Sequence, residues 1–198
     1  MQNTEHKNFT IVVFASGNGS NAARIIDYAQ HHQNFSVSTV FSNKQKAPVL
    51  EKARVRNIPG ISFSKEELYK KDTLKNQLRQ LQPDLIVLAG FMWIFPQDIL
   101  ADFPNRVINI HPALLPKYGG KGMYGDHVHK AVLDNKEERS GISIHYVNEN
   151  YDEGRIIAQY ETSIANDETL DSLKQKIHQL EHEYYPLVIE QLLKEQHA

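Results

Sequence analysis

A chain of 198 residues with 40% hydrophobic and 23% charged content has the length and composition of one globular domain with a full apolar core, and residues 1–198 are read as such. Lysine and arginine at 22 against aspartate and glutamate at 24 leave a net charge of −2, which excludes a global basic field for nucleic acid or an anionic membrane. The absence of cysteine excludes disulfides, a thiolate nucleophile and cysteine-based zinc sites, and a reducing, cytoplasmic setting is expected.

Met1 to Asn8 is polar, and the apolar run behind it, Phe9 to Ala15, is too short and wrongly flanked for a signal peptide or a membrane span. Its β-branched residues end at a glycine turn, the pattern of a strand buried on both faces of a parallel sheet. Asn21 to His31 carries Ala22, Ile25, Ile26 and Ala29 at helical spacing, and Phe35 to Ser42 reads as the second strand, completing a right-handed βαβ unit. A helix from about Ala47 to Asn57 leads to a short strand at Gly60 to Phe63. Ser64-Lys-Glu-Glu67 then resembles a capping box, which predicts a helix running to Leu81. Asp84 to Ala89 is a further buried strand, followed by Gly90, an exposed loop from Phe91 to Phe95, a short helix from Pro96 and a strand from Arg106 to Ile110.

Strands and helices alternate this far, which predicts a doubly wound, mostly parallel α/β sheet. Ser140 to Val147 and Arg155 to Thr162 break the rhythm. Their connection, Asn148 to Gly154, is too short for a helical crossover, so at least one of them is expected to run antiparallel. Leu170, Leu173, Ile177 and Leu180 then mark a long amphipathic helix, and Pro186 is expected to start a second helical piece carrying Leu187, Val188 and Leu192.

The strand before Pro112 presents Asn109 and His111 at i and i+2, an amide donor and a titratable imidazole on one side of the strand. Pro112 stops the strand and leaves both at a carboxyl end, where open α/β sheets bind their ligands. Such a pair can stabilise an oxyanion, or it can be a polar strand end whose histidine caps backbone carbonyls. Ser16 to Ala22 opens the first helix, where backbone N–H groups and the helix dipole favour an anion. Gly17, Gly19 and Ala22 fit the dinucleotide spacing, but the second strand ends Phe41-Ser-Asn-Lys44 without the carboxylate that holds a ribose. A phosphate cradle for a smaller ligand is therefore favoured over a dinucleotide site, with a plain structural turn as the alternative.

Asn148 to Gly154 is either a solvated acidic turn or, folded over the carboxyl edge of the sheet, the source of Asp152 as a partner favouring the imidazolium form of His111. Tyr118 to Gly125 carries four glycines and reads as a substrate flap or as a merely long loop. His127, His129 and His145 join His111 in a zinc set only on paper, because i and i+2 diverge on a helix and no thiolate supports them. No metal is expected.

Taken in order, the segments Ala15 to Asn21, Val40 to Asn43, Asp84 to Met92, Asn109 to Lys117, Gly141 to Val147, Asp152 to Gly154 and Glu181 to Val188 carry a resemblance along nearly the whole chain. They resemble the phosphoribosylglycinamide formyltransferase family, folate-dependent enzymes of purine synthesis. The Asn-x-His-Pro, Leu-Leu-Pro and Asp-x-Gly elements are shared with other folate formyltransferases and formyl hydrolases. The Ser-Gly-Asn-Gly-Ser-Asn turn followed by Phe-Ser-Asn is more particular to this family and the related hydrolase.

The resemblance implies a Rossmann-like formyltransferase fold with an antiparallel element near the C-terminus and a long C-terminal helix. It also implies direct transfer of formyl from 10-formyltetrahydrofolate, a co-substrate, to the amine of glycinamide ribonucleotide. Catalysis would fall to Asn109 and His111, which hold the tetrahedral oxyanion, and to Asp152, which orients and charges the imidazole. The ribonucleotide is assigned to Gly19, Ser20, Asn21, Ala22, Ala23 and Glu181, and the folate to Lys65, Met92, Trp93, Ile94, Phe95 and Asn109. Small-molecule substrates, no nucleic acid, no membrane and a monomer or homodimer are expected.

The chain departs from the family at Trp93, where arginine is common, and at Tyr118 to Gly125, which is longer and richer in glycine. Lys65 stands only loosely where a folate-contacting arginine is often found. Formyl hydrolases and methionyl-tRNA formyltransferases carry a further domain that 198 residues are not expected to hold, and a non-catalytic relative would be expected to lose Asn109, His111 or Asp152.

Overall fold

The computed structural model describes residues 8–195. The chain divides into two compact units, one built from the residues up to Met92 together with the chain from Val188, the other from Trp93–Leu187. Seven strands are assigned to the sheet.

In the first unit β1 (Phe9–Phe14), β2 (Phe35–Ser42), β3 (Gly60–Ser62) and β4 (Leu85–Leu88) lie in the order β3-β2-β1-β4, and each neighbouring pair is parallel. The apolar β-branched runs dictate this placement, since Ile11, Val12, Val13 and Phe14 of β1 and Leu85, Ile86 and Val87 of β4 are wholly buried. α1 (Ser20–His32) turns Ala22, Ile25, Ile26 and Ala29 inward, as their spacing predicts, and α2 (Pro48–Arg54) follows with proline in its first turn. Phe14 stacks on Phe41 at 4.9 Å between ring centres and meets Phe63 and Phe91 edge-on, closing the core at the carboxyl end of β1.

The helix expected from the capping box to Leu81 is two helices, α3 (Lys65–Tyr69) and α4 (Thr73–Leu81). The capping box itself is present, with Glu67 N–H donating to Ser64 Oγ at 3.2 Å and Ser64 N–H donating to Glu67 at 2.8 Å. The reason for the break lies in the apolar spacing: Leu68 and Leu74 would point about 120° apart on one continuous helix, yet both are buried. Ending α3 at Tyr69 and restarting after Asp72 lets each face the core.

In the second unit α5 (Gln97–Asp102), β5 (Val107–His111), α6 (Asp126–Asp134), β6 (Arg139–Tyr146) and β7 (Ile156–Ser163) follow in sequence. The strands lie in the order β5-β6-β7, both pairings antiparallel. The expectation of a parallel α/β array with an antiparallel element toward the C-terminus is thus met, unit by unit.

The last helix, α7 (Leu170–Glu195), is one element with Pro186 inside it, not two pieces. An internal proline forfeits one hydrogen bond and costs roughly 3 kcal/mol. Leu173 and Ile177 before it, and Tyr185, Val188, Ile189 and Leu192 around it, are all buried. At about 1.5–3 kcal/mol per buried apolar side chain, this face outweighs the local proline cost. Past Val188 the helix is pinned by Glu190, whose carboxylate accepts from Tyr28 Oη at 2.5 Å and Asn34 Nδ2 at 2.8 Å. Among the described residues no helix is long and apolar enough to cross a membrane.

Candidate active site

In the second unit β5 delivers Asn109 and His111 on one side of the sheet, and β6 sets His145 directly opposite Asn109 and Ser143 directly opposite His111. The turn beyond His111 is fixed from β6 and β7. Ser143 Oγ donates to the Ala113 carbonyl at 2.7 Å and accepts from Leu115 N–H at 2.9 Å, and Gln159 Nε2 lies 2.8 Å from the same hydroxyl and 3.0 Å from the Leu115 carbonyl. The β6–β7 connection then brings Asp152 back to the cluster. It does so through Gly154, where a Cβ would stand 1.7 Å from the Tyr146 carbonyl oxygen, so only glycine lets the chain pass.

Asp152 Oδ2 lies 3.5 Å from His111 Nδ1 and accepts the Gly120 N–H at 2.9 Å, while Oδ1 lies 3.7 Å from His145 Nε2. The acidic loop therefore folds onto the histidine and is not a solvated turn at this residue. His111 Nε2 donates to the Tyr118 carbonyl at 2.7 Å. With Nε2 protonated, Nδ1 of a neutral ring turns a lone pair toward a carboxylate, an arrangement that a second proton would relieve. Burial opposes that proton: His111 is only 3% exposed, and desolvation lowers its pKa below the ordinary 6.5 despite the opposing pull of Asp152 and the Tyr118 carbonyl. The expectation that Asp152 favours imidazolium is right in direction, but burial is the larger effect. For Asp152 itself, burial acts to raise the pKa, yet His145, His111 and the Gly120 N–H outweigh it and hold the carboxyl below its usual value.

The glycine-rich segment touches this cluster through Tyr118 and Gly120, and is tied down by Glu137, which accepts from Tyr118 Oη at 2.8 Å and from Lys117 Nζ at 2.9 Å. Glu181 on α7 lies 3.3 Å from His178 Nδ1, and its negative charge acts on His111 and His129. Sequence reasoning gave His129 and His145 no place in the site. His129 is buried on α6 with no hydrogen-bond partner at Nδ1, and burial lowers its pKa. The signal for His145 was available only once β5–β6 register was known. Among the described residues no group of three or more histidines or carboxylates is arranged to hold a metal ion.

The first unit holds the glycine turn. Gly19 is the N-cap of α1 at φ 70°, and a Cβ there would lie 2.2 Å from Val49 Cγ2, so both the backbone and the packing demand glycine. No side chain caps α1, and no acidic residue sits in its first turn, so the positive end of the helix dipole is not offset locally. Ser20 and Asn21 stand at the start of the helix, whereas Ala22 and Ala23 are buried and offer the turn only their backbone. Lys52, which sequence reasoning passed over, reaches the turn from α2 with Nζ 2.8 Å from Asn18 Oδ1.

Of the positions assigned to folate, Met92 is exposed and its N–H donates to Ser16 Oγ at 2.9 Å. Lys65 is exposed at the start of α3, and Ile94 is exposed, with Trp93 half-buried. The loop was expected to be exposed throughout, but Phe95 is 2% exposed, so its side chain belongs to the core and only its backbone is available to a ligand. Asn109, His111 and Asp152 are thus brought together within the second unit, and the Gly19 to Ala23 turn belongs to the first.

The sequence profile described as formyl transferase matches residues 9–189 of this chain. The phosphoribosylglycinamide formyltransferase of Bacillus subtilis (strain 168) is 37% identical over 186 residues, covering 91% of this chain and 93% of that protein. The chloroplastic phosphoribosylglycinamide formyltransferase of Arabidopsis thaliana is 38% identical over 185 residues, 90% of this chain, but the chain spans only 63% of that relative's length. A crystal structure of phosphoribosylglycinamide formyltransferase from Brucella melitensis superposes with a TM-score of 0.85 at 33% identity, covering 94% of this chain and 96% of that one.

Proposed function

This chain belongs to the formyl transferase family, and from that premise we propose that it transfers a formyl group from 10-formyltetrahydrofolate to the amine of glycinamide ribonucleotide in purine synthesis. The observation that carries this reading is the convergence of Asn109, His111 and Asp152 within one unit, in a family whose relatives of similar length bear that enzyme's name. The amine nitrogen attacks the formyl carbon, giving a tetrahedral intermediate with a negative oxygen. Asn109 and His111 stabilise that oxygen, and the formyl oxygen takes over the His111 Nε2–H now donated to the Tyr118 carbonyl. Asp152 steadies the imidazole and offsets the cost of charging it in a buried place. As the C–N bond to folate breaks, the proton lost by the amine reaches the folate nitrogen through water near Asp152.

The ribonucleotide phosphate is assigned to the α1 turn at Gly19, Ser20 and Asn21, with the Ala22 and Ala23 backbone behind it, and its sugar to Glu181. The pterin is assigned to Met92, Trp93, Ile94, the backbone of Phe95 and Asn109, with Lys65 as a peripheral contact. The protein is read as one catalytic domain without a metal, cytoplasmic, and monomeric or homodimeric. Purified protein given both substrates is expected to release tetrahydrofolate only when the ribonucleotide amine is present. Release at the same rate without the amine would assign the chain to formyl hydrolysis instead.

A further inference from the structure

His145 is 2% exposed and its two ring nitrogens have different partners. Nδ1 lies 2.9 Å from the Tyr146 carbonyl oxygen, which can only accept, so a neutral ring carries its proton on Nδ1. Nε2 is left with a lone pair. The atom 3.1 Å from it is Nδ2 of Asn109, which must therefore be the donor. Asp152 Oδ1 is the more distant neighbour of Nε2, at 3.7 Å. Asn109 is also the one residue of β5 of intermediate exposure, the other four being buried.

We propose that His145 is a positioning residue, which holds the Asn109 amide with one N–H on its own Nε2 and the second N–H free for the formyl oxygen. The inference rests on the formyl-transfer reading given above. Without the pinned acceptor, the Asn109 amide can rotate and offer its carbonyl oxygen where the developing oxyanion needs a donor. The loss expected is that of one oxyanion-hole donor, about 10²–10³-fold in kcat.

Nitrogen-15 NMR of histidine-labelled, unaltered protein reads the tautomer directly. A neutral ring protonated at Nδ1 is expected, and a proton on Nε2, alone or beside one on Nδ1, overturns the proposal. His145→Asn keeps a donor toward Tyr146 but withdraws the acceptor, and should lower kcat by at least ~10²-fold with KM and Tm little changed. His145→Gln returns an acceptor near the Nε2 position and should recover part of the loss. In an Asn109→Ala background His145→Asn should cost almost nothing, because the group it orients is gone. Additive losses, or a fall in Tm that accounts for the lost rate, assign His145 to packing alone. Should His145→Asn not fold, the tautomer decides. A lack of formyl transfer by the unaltered enzyme would sink the activity reading, and the tautomer would still test the Asn109–His145 pairing.

Discussion

Asp152 Oδ2 stands 3.5 Å from His111 Nδ1 while the opposite nitrogen of the same ring donates to the Tyr118 carbonyl at 2.7 Å, so every polar atom of the imidazole faces an acceptor. The ring can satisfy both only as imidazolium, and its burial opposes that state. A ring that burial disfavours charging, beside a carboxylate that favours it, suits the stabilisation of a charge that appears only in the transition state. His111→Ala and Asp152→Asn are each expected to lower turnover by at least ~10²-fold. Steady-state rates near those of the unaltered protein would remove either residue from the mechanism.

Stability should fall on mild acidification. The pKa values of His111 and His129 are lowered by burial from an ordinary value of 6.5, so below that pH the unfolded chain takes up protons that the folded chain refuses. Stability thus rises with pH through the window between their folded values and 6.5, and is fully present above it. The Asp152 carboxyl, shifted below its ordinary 3.8, adds stability above that pH which is lost as pH falls through its folded value. Thermal unfolding followed from about pH 8 to about pH 5 should show a falling Tm, with a shallower fall in His111→Gln. A flat Tm across that range would contradict the assigned direction.

Ser143 holds the turn that follows His111, and its hydroxyl is wholly buried. Ser143→Ala strands the Leu115 N–H and loosens Gln159, which should lower the unfolding free energy by about 1–3 kcal/mol. Urea titration checks this. A midpoint unchanged from that of the parent protein would mean that the turn is held by other contacts.

Gly19 faces two demands, a φ of 70° and a Val49 methyl that would lie 2.2 Å from a new Cβ. Gly19→Ala should therefore destabilise by about 1–3 kcal/mol, and adding Val49→Ala should return the packing share but not the backbone share. Gly19→Asp, which aims a charge at the assigned phosphate, should weaken ribonucleotide binding and spare folate binding. Calorimetric titrations with each ligand separate the two, and an equal loss of both would point to misfolding.

The periodicities of the chain determined most of the elements by themselves. Phe9 to Ala15, Phe35 to Ser42 and Asp84 to Ala89 read as buried strands because unbroken apolar β-branched runs have few other places to go, and Ser64 and Glu67 marked a helix start through hydrogen bonds that are local in sequence. Asn109 and His111 were legible as a pair because a strand puts i and i+2 on one face. Tertiary structure decided the rest. It split the helix after Tyr69 so that both Leu68 and Leu74 could be buried, carried α7 through Pro186 on the strength of its apolar face, and moved the Phe95 side chain into the core. Above all it placed His145 beside Asn109, because antiparallel register joins residues far apart in the chain, and it set burial against Asp152 at His111, where burial prevails and lowers the pKa. Local spacing names which residues share a face, but partners across a sheet and the water they lose are properties of the folded chain alone.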